Sequence, residues 1–176
     1  GSTNHAVTAY VWQSGMVAYG VAGIARELQD LGDPRAAETV AFAEALVGRW
    51  DAHRTSTADG DYWWYSSEPA DAIAVHNTSA LLAMAHDALA EATGDSAHAD
   101  QARRSTDFLW ARLRGNPTTG YAWNYADDGY PSGLRRAEDS SHALVTLQVM
   151  ALAGRRGWWA ENRIRGVSRT MLGNLF

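Results

Sequence analysis

The stretch that decides the fold is "IAVHNTSALLAMAHDALAEATGDSAHADQARRSTDFLWARL", Ile73 to Leu113. Leu81, Leu82, Ala85, Leu89 and Ala92 recur at the helical period of about 3.6 residues. "TGDSAHAD" then stops one helix and starts another: Gly94 ends the first, and Asp95 or Ser96 caps the second. The unit is an apolar helix, a tight turn and an amphipathic helix.

The same unit lies upstream in "YVWQSGMVAYGVAGIARELQDLGDPRAAETVAFAEALVGRW", Tyr10 to Trp50. Gly32-Asp33 precedes Gly94-Asp95 by 62 positions, and Gln13-Ser14 matches Asn77-Thr78. Val17, Val21, Ile24 and Leu28 keep the helical spacing. Asp33 reads as a cap, with Pro34 at the first helical position. A third copy begins at "EDSSHALVTLQVM", Glu138 to Met150, and turns at Gly154 and Gly157. The expected organisation is a single domain of three repeated helical hairpins, at about residues 6–53, 72–114 and 138–176. No segment alternates convincingly with period two, so the expected class is all-α with almost no sheet.

Composition narrows the chemistry. A chain of 176 residues, 46% hydrophobic and 20% charged, suits one compact domain. Its net charge of −5, with no basic block, argues against nucleic acid and anionic membrane as partners. No apolar run approaches the roughly 20 residues that span a bilayer. Cysteine is absent, which removes disulfides, thiol nucleophiles and thiolate metal sites. All 15 basic residues are arginine, which removes lysine chemistry. Compartment is not indicated.

The long connections, about residues 54–74 and 115–138, hold the unusual residues. Both carry an aromatic box, Trp64-Tyr65 and Trp123-x-Tyr125, and both run into a polar cluster that opens the next helix. Such loops project from one end of a hairpin array, where sites are commonly built. In "AEDSSHAL", Asp139 or Ser140 serves as a cap, and acids in the first turn complement the helix dipole. A cap has no need of His142. Glu138 and Asp139 lie four and three residues before it, on one helix face. A carboxylate beside an imidazole orients it and raises its pKa, as a general base or acid requires. In "AVHNTSAL", His76 and Asn77 hold the matching place, where Asn77 also suits a cap.

Trp63, Trp64, Tyr65, Tyr121, Trp123, Tyr125 and Tyr130 offer either loop packing or stacking faces for sugar rings. Asp59, Asp61, Glu68, Asp71, Asp127 and Asp128 offer hydroxyl ligands or the paired carboxylates of hydrolysis. A metal set of His76, His142, Asp139 and perhaps His5 has the right donors, but no HExxH-type pair supports it. The expectation is therefore no metal and no cofactor. His53, His86 and His98 read as surface or packing residues without polar company.

Three such hairpins resemble half of an α/α toroid. The glycine-aspartate turns and the aromatic loops before the inner helices look like those of the carbohydrate-active toroids, which include polysaccharide lyases, glucuronyl C5-epimerases and several glycoside hydrolases. The resemblance is one of pattern and spans nearly the whole chain. It implies a lyase or epimerase acting on an acidic poly- or oligosaccharide. Catalytic residues would be His142, His76, Tyr125, Tyr65 and Asp139. His76 would take the C5 proton, and Tyr65 or Tyr125 would protonate the leaving oxygen. Substrate would be held by Asn77, Trp64, Trp123, Arg135, Arg136 and Glu138, with Asn77 neutralising the uronate carboxylate. Glycoside hydrolysis, a non-catalytic binding module and an apolar-substrate cyclase are the alternatives. A ring needs about twice this length. Further sequence, or a second copy in a homodimer, would complete it; otherwise the hairpins stand alone as a bundle.

Overall fold

The computed structural model describes residues 8–127 and 140–174. It is mostly helical. Helices α1 (Val11–Asp30), α2 (Ala36–Gly48), α3 (His76–Thr93), α4 (Ser96–Arg112), α5 (Ser140–Arg155) and α6 (Glu161–Asn174) form three consecutive hairpins. Helix α3 packs between α1 and α5, and α2, α4 and α6 lie outside them.

Positive backbone φ at Gly32, Gly94 and Gly157 (67°, 72° and 69°) marks the turn of each hairpin. Only glycine takes this conformation without a Cβ penalty. Asp95 caps α4 by accepting from Ala97 N–H at 2.8 Å. Asp33 caps the turn itself, accepting from Arg35 N–H at 2.9 Å, and α2 begins two residues beyond Pro34. Gly154 is not a turn residue. It lies inside α5, where a Cβ would come within 2.9 Å of the Ile164 side chain. Its role is close packing of α5 on α6.

The inner helices approach closely because their shared faces are small. Gly15, Ala18, Ala22 and Ala25 of α1 are buried, and a Cβ on Gly15 would come within 2.8 Å of the Leu82 nitrogen. The larger core residues Trp50, Trp63, Leu82, Leu89 and Met150 fill the space around this seam.

The expectation of almost no sheet needs correction. Strands β1 (Arg54–Thr57) and β2 (Gly60–Trp63) form one antiparallel hairpin, and β3 (Arg114–Asn116) and β4 (Gly120–Ala122) form a second. Strands of four and three residues are too short to display a readable alternation. Each hairpin is seated on the outer helix of the next unit. A Cβ on Gly60 would meet the Arg104 oxygen and Phe108 nitrogen of α4 at 2.1 and 2.6 Å. A Cβ on Gly120 would meet Thr170 Oγ1 of α6 at 2.8 Å.

Polar locks hold both hairpins down. Asp61, 2% exposed, accepts from Arg104 at 2.6 Å and Gln101 at 3.1 Å. Burial raises its pKa, but the hydrogen bonds from Arg104, Gln101 and Ser56 and the Arg104 charge outweigh this and hold it low. The Thr170 hydroxyl donates to Tyr121 C=O and accepts from Tyr121 N–H, both at 2.6 Å.

Candidate functional site

After each β-hairpin the chain returns to the mouth of an inner helix. Ser66 bridges Tyr10, and Ala126 bridges Val75. Val11 N–H donates to Tyr65 C=O at 3.2 Å, and His76 N–H donates to Tyr125 C=O at 3.0 Å. The two aromatic boxes thus satisfy the first, otherwise orphaned, amides of α1 and α3. This pairing, with His76 on Asn124 and Asp127, fixes residues 124–127 against α3.

His76 is 4% exposed. Its Nδ1 lies 2.7 Å from Asn124 C=O, and its Nε2 lies 2.9 Å from Asp127 Oδ1. A carbonyl only accepts, and an ionised carboxylate only accepts. Both ring nitrogens are therefore engaged within the protein. Asp127 also accepts from Arg112 Nε at 3.1 Å, and Arg112 reaches Asp59 at 2.9 Å while lying 3.5 Å over the Phe108 ring. Burial raises the Asp127 pKa, but His76 and Arg112 together bring it below the usual carboxylate value.

Beside this chain of contacts lies an open groove of about 410 Å³, walled by His76, Arg112, Arg114, Asn124, Ala126 and Asp127. Arg114 is exposed and donates to Asn124 Oδ1 at 2.6 Å. Among the described residues it forms an ion pair with no carboxylate. Among the described residues, the groove thus presents one guanidinium without a carboxylate partner, next to an amide.

His142 is half-buried in the first turn of α5, and its ring meets Tyr125 edge-on, with centroids 5.2 Å apart at 83°. The structure thus joins two of the expected catalytic side chains. It links His76 to them through the 124–127 segment. Asp139, Glu138, Arg135 and Arg136, together with His5, Asp128 and Tyr130, lie outside the described residues.

The remaining expected residues are distributed differently. Asn77 is 8% exposed, and its Oδ1 is buried without a hydrogen-bond partner among the described residues. Tyr65 packs edge-on against Tyr10 at 5.4 Å, and burial followed by the nearby Tyr10 and Asp71 raises its pKa. Trp64 is half-buried, donates to Thr55 Oγ1 at 3.0 Å and packs against His53. Trp123 is only 5% exposed and belongs to the hydrophobic core, so it presents no stacking face. Alternation along the box carries Trp63 and Trp123 inward.

His86 and His98 also differ from expectation. Their Nδ1 atoms are 2.9 Å apart, so each has the other for polar company. His86 stacks on Trp63 and is 5% exposed. Burial, then the charges of His98 and Arg54, brings its pKa down to about 3.

Arg112, Arg114 and Asn124 carry the groove and were not singled out in the sequence. The available signal was positional: two arginines leave the C-terminal end of α4 where the second aromatic loop begins. No group of three or more His, Asp or Glu that could hold a metal occurs among the described residues. No described helix is long and apolar enough to cross a membrane. No family model, curated protein or solved structure matches the chain.

Proposed function

We propose that the chain is an arc of an α/α toroid whose loop end binds and processes an acidic poly- or oligosaccharide, by lyase or epimerase chemistry. The observation that carries this reading is the Tyr125–His142 ring pair. It stands on the same short segment that forms the arginine-bearing groove. The arc is supported by the three hairpins and by the recurrent bond from an inner-helix amide to Tyr65 and Tyr125.

In this reading Arg114 binds the uronate carboxylate, a planar anion that a guanidinium matches with two hydrogen bonds. Neutralising the carboxylate acidifies the C5–H. His142 removes that proton, the C4–O bond breaks as the C4–C5 double bond forms, and the Tyr125 hydroxyl protonates the departing oxygen. For epimerisation the proton returns to the opposite face instead. His76 becomes a positioning residue, because both its nitrogens are engaged. That same engagement favours one second reading, a module that binds an acidic glycan without transforming it.

Calorimetric titration with a uronate oligosaccharide and with its carboxyl-reduced counterpart tests the assignment. The acidic ligand is expected to bind at least tenfold more tightly, and Arg114→Gln is expected to remove the difference. Equal binding of the two ligands, or an unchanged preference in Arg114→Gln, contradicts it.

A further inference from the structure

We propose that a second pocket, lined by α1, α3 and α5 well below the loops, binds a small hydroxylated carboxylate. This site goes beyond the reading above and does not rest on it.

The pocket has a volume of about 280 Å³. Tyr19 comes from α1, Met84 and Asp87 from α3, and Gln148, Leu152 and Arg155 from α5. It shares no lining residue with the loop-end groove. His76 opens α3, and Asp87 follows about 16 Å further along the helix axis. Met84, Asp87 and Leu152 are buried and form the floor, whereas Tyr19, Gln148 and Arg155 are exposed and form the walls. The volume stands near the lower end of the range for ligand sites, roughly 300 Å³, which suits a single small molecule.

Charge fixes the class of ligand. Arg156 holds Asp87 with two bonds and also binds Glu91, which Arg26 binds in turn. Two guanidiniums and two carboxylates therefore cancel. Arg155 is left over. Among the described residues it forms no hydrogen bond and no ion pair. The pocket thus carries a surplus of one positive charge among the described residues and favours a monoanion. A carboxylate is planar and takes two parallel N–H bonds from a guanidinium.

The other polar groups ask for hydroxyls. Gln148 and Tyr19 make no hydrogen bond among the described residues, and together they offer both donors and acceptors. Asp87 adds an acceptor on the floor. An ionised carboxylate has about four lone-pair sites, and Arg156 takes two of them. A ligand ammonium at Asp87 would stand beside the Arg156 guanidinium, so a neutral O–H is the better donor there. An exposed arginine by itself means only solvation. Here it shares one pocket with a buried carboxylate and two further polar side chains that the fold does not use.

Titration followed by two-dimensional NMR, with gluconate, sorbitol and hexanoate as probes, tests the proposal. Sorbitol keeps the hydroxyls without the carboxylate, and hexanoate keeps the carboxylate without the hydroxyls. Gluconate is expected to shift the Gln148 side-chain amide and the Met84 methyl, and to bind at least fivefold more tightly than either control. Arg155→Gln is expected to remove the advantage over sorbitol with an unchanged circular dichroism spectrum. Arg114→Gln is expected to leave that advantage intact. Gluconate binding no tighter than sorbitol or hexanoate overturns the proposal. So does an advantage that survives Arg155→Gln, or shifts confined to the Asn124 amide of the loop-end groove. Any of these results, with the uronate preference of Arg114 preserved, counts against this inference alone.

Discussion

Nε2 of His76 lies 2.9 Å from Oδ1 of Asp127, joining the first turn of α3 to the chain that leaves β4. Through Arg112 the same carboxylate reaches Asp59, beside β2. One imidazole therefore ties both β-hairpins to the mouth of the central helix. Removing it in His76→Ala takes from the Asn124 carbonyl and one Asp127 oxygen their imidazole partner. The expected cost is about 1–3 kcal/mol in urea unfolding, the usual range for a buried polar group losing its partner. A loss below about 0.5 kcal/mol would count against the tie.

Asp127 adds a pH dependence with a definite sign. Its pKa is lower in the folded chain than the roughly 3.9 of a free aspartate. Its contribution is thus complete above about pH 4 and disappears as pH falls through the lowered folded value. Asp127→Asn should be less stable than wild type at neutral pH, and the gap should narrow on acidification below pH 4. A gap that widens there would contradict the arrangement.

His86 predicts a separate window. Its folded pKa of about 3 lies below the roughly 6.5 of an exposed histidine. Between these values the unfolded chain binds a proton that the folded chain refuses, so stability falls as pH drops from about 6.5 towards 3. Proton NMR should show the His86 ring resonances unmoved between pH 7 and 5. A normal titration near pH 6.5 would contradict this.

Asp87, 6% exposed, receives two bonds from Arg156 at 2.7 and 3.1 Å. Arg156 also reaches Glu91 at 2.6 Å, and Glu91 binds Arg26 at 2.6 Å. These contacts link α1 and α3 to the end of α5, at the end opposite the loops. Arg156→Met is expected to cost about 2–3 kcal/mol, because it strands a buried carboxylate. Adding Asp87→Asn should recover part of that loss. Additive losses in the double variant would show that the pair is not coupled.

Much of the helical frame was legible because its signals are local. Gly32, Gly94 and Gly157 turn where only glycine turns freely, and the caps Asp33 and Asp95 stand beside two of them. The β-hairpins were not legible. Their stability comes from Asp61 on Arg104 and Thr170 on Tyr121, contacts whose partners are 43 and 49 positions apart. The site divides similarly. The meeting of Tyr125 with His142 follows from the recurrent loop before each inner helix. The inward turn of Trp123 and the double engagement of His76 depend on the side-chain direction set by those hairpins. Arg114 went unnoticed because no motif marks an arginine that, among the described residues, forms no ion pair.

Gly60 offers a direct check of hairpin seating. Its φ of 135° and the 2.1 Å approach of a Cβ to Arg104 C=O leave no room for a side chain. Gly60→Ala should lower stability by more than 2 kcal/mol, whereas Gly48→Ala, with open space around it, should be neutral or stabilising.

The central claim is that Tyr125 and His142 do chemistry on an acidic sugar. Its most direct measurement is the ultraviolet absorbance of a C4–C5 unsaturated uronate during incubation with uronate polymers, run beside proton exchange at C5 in deuterated water. The account predicts product by one of these readouts, with at least a hundredfold loss in both His142→Ala and Tyr125→Phe while the fold is retained. Absence of both signals on every uronate polymer, or full activity in His142→Ala, would contradict it.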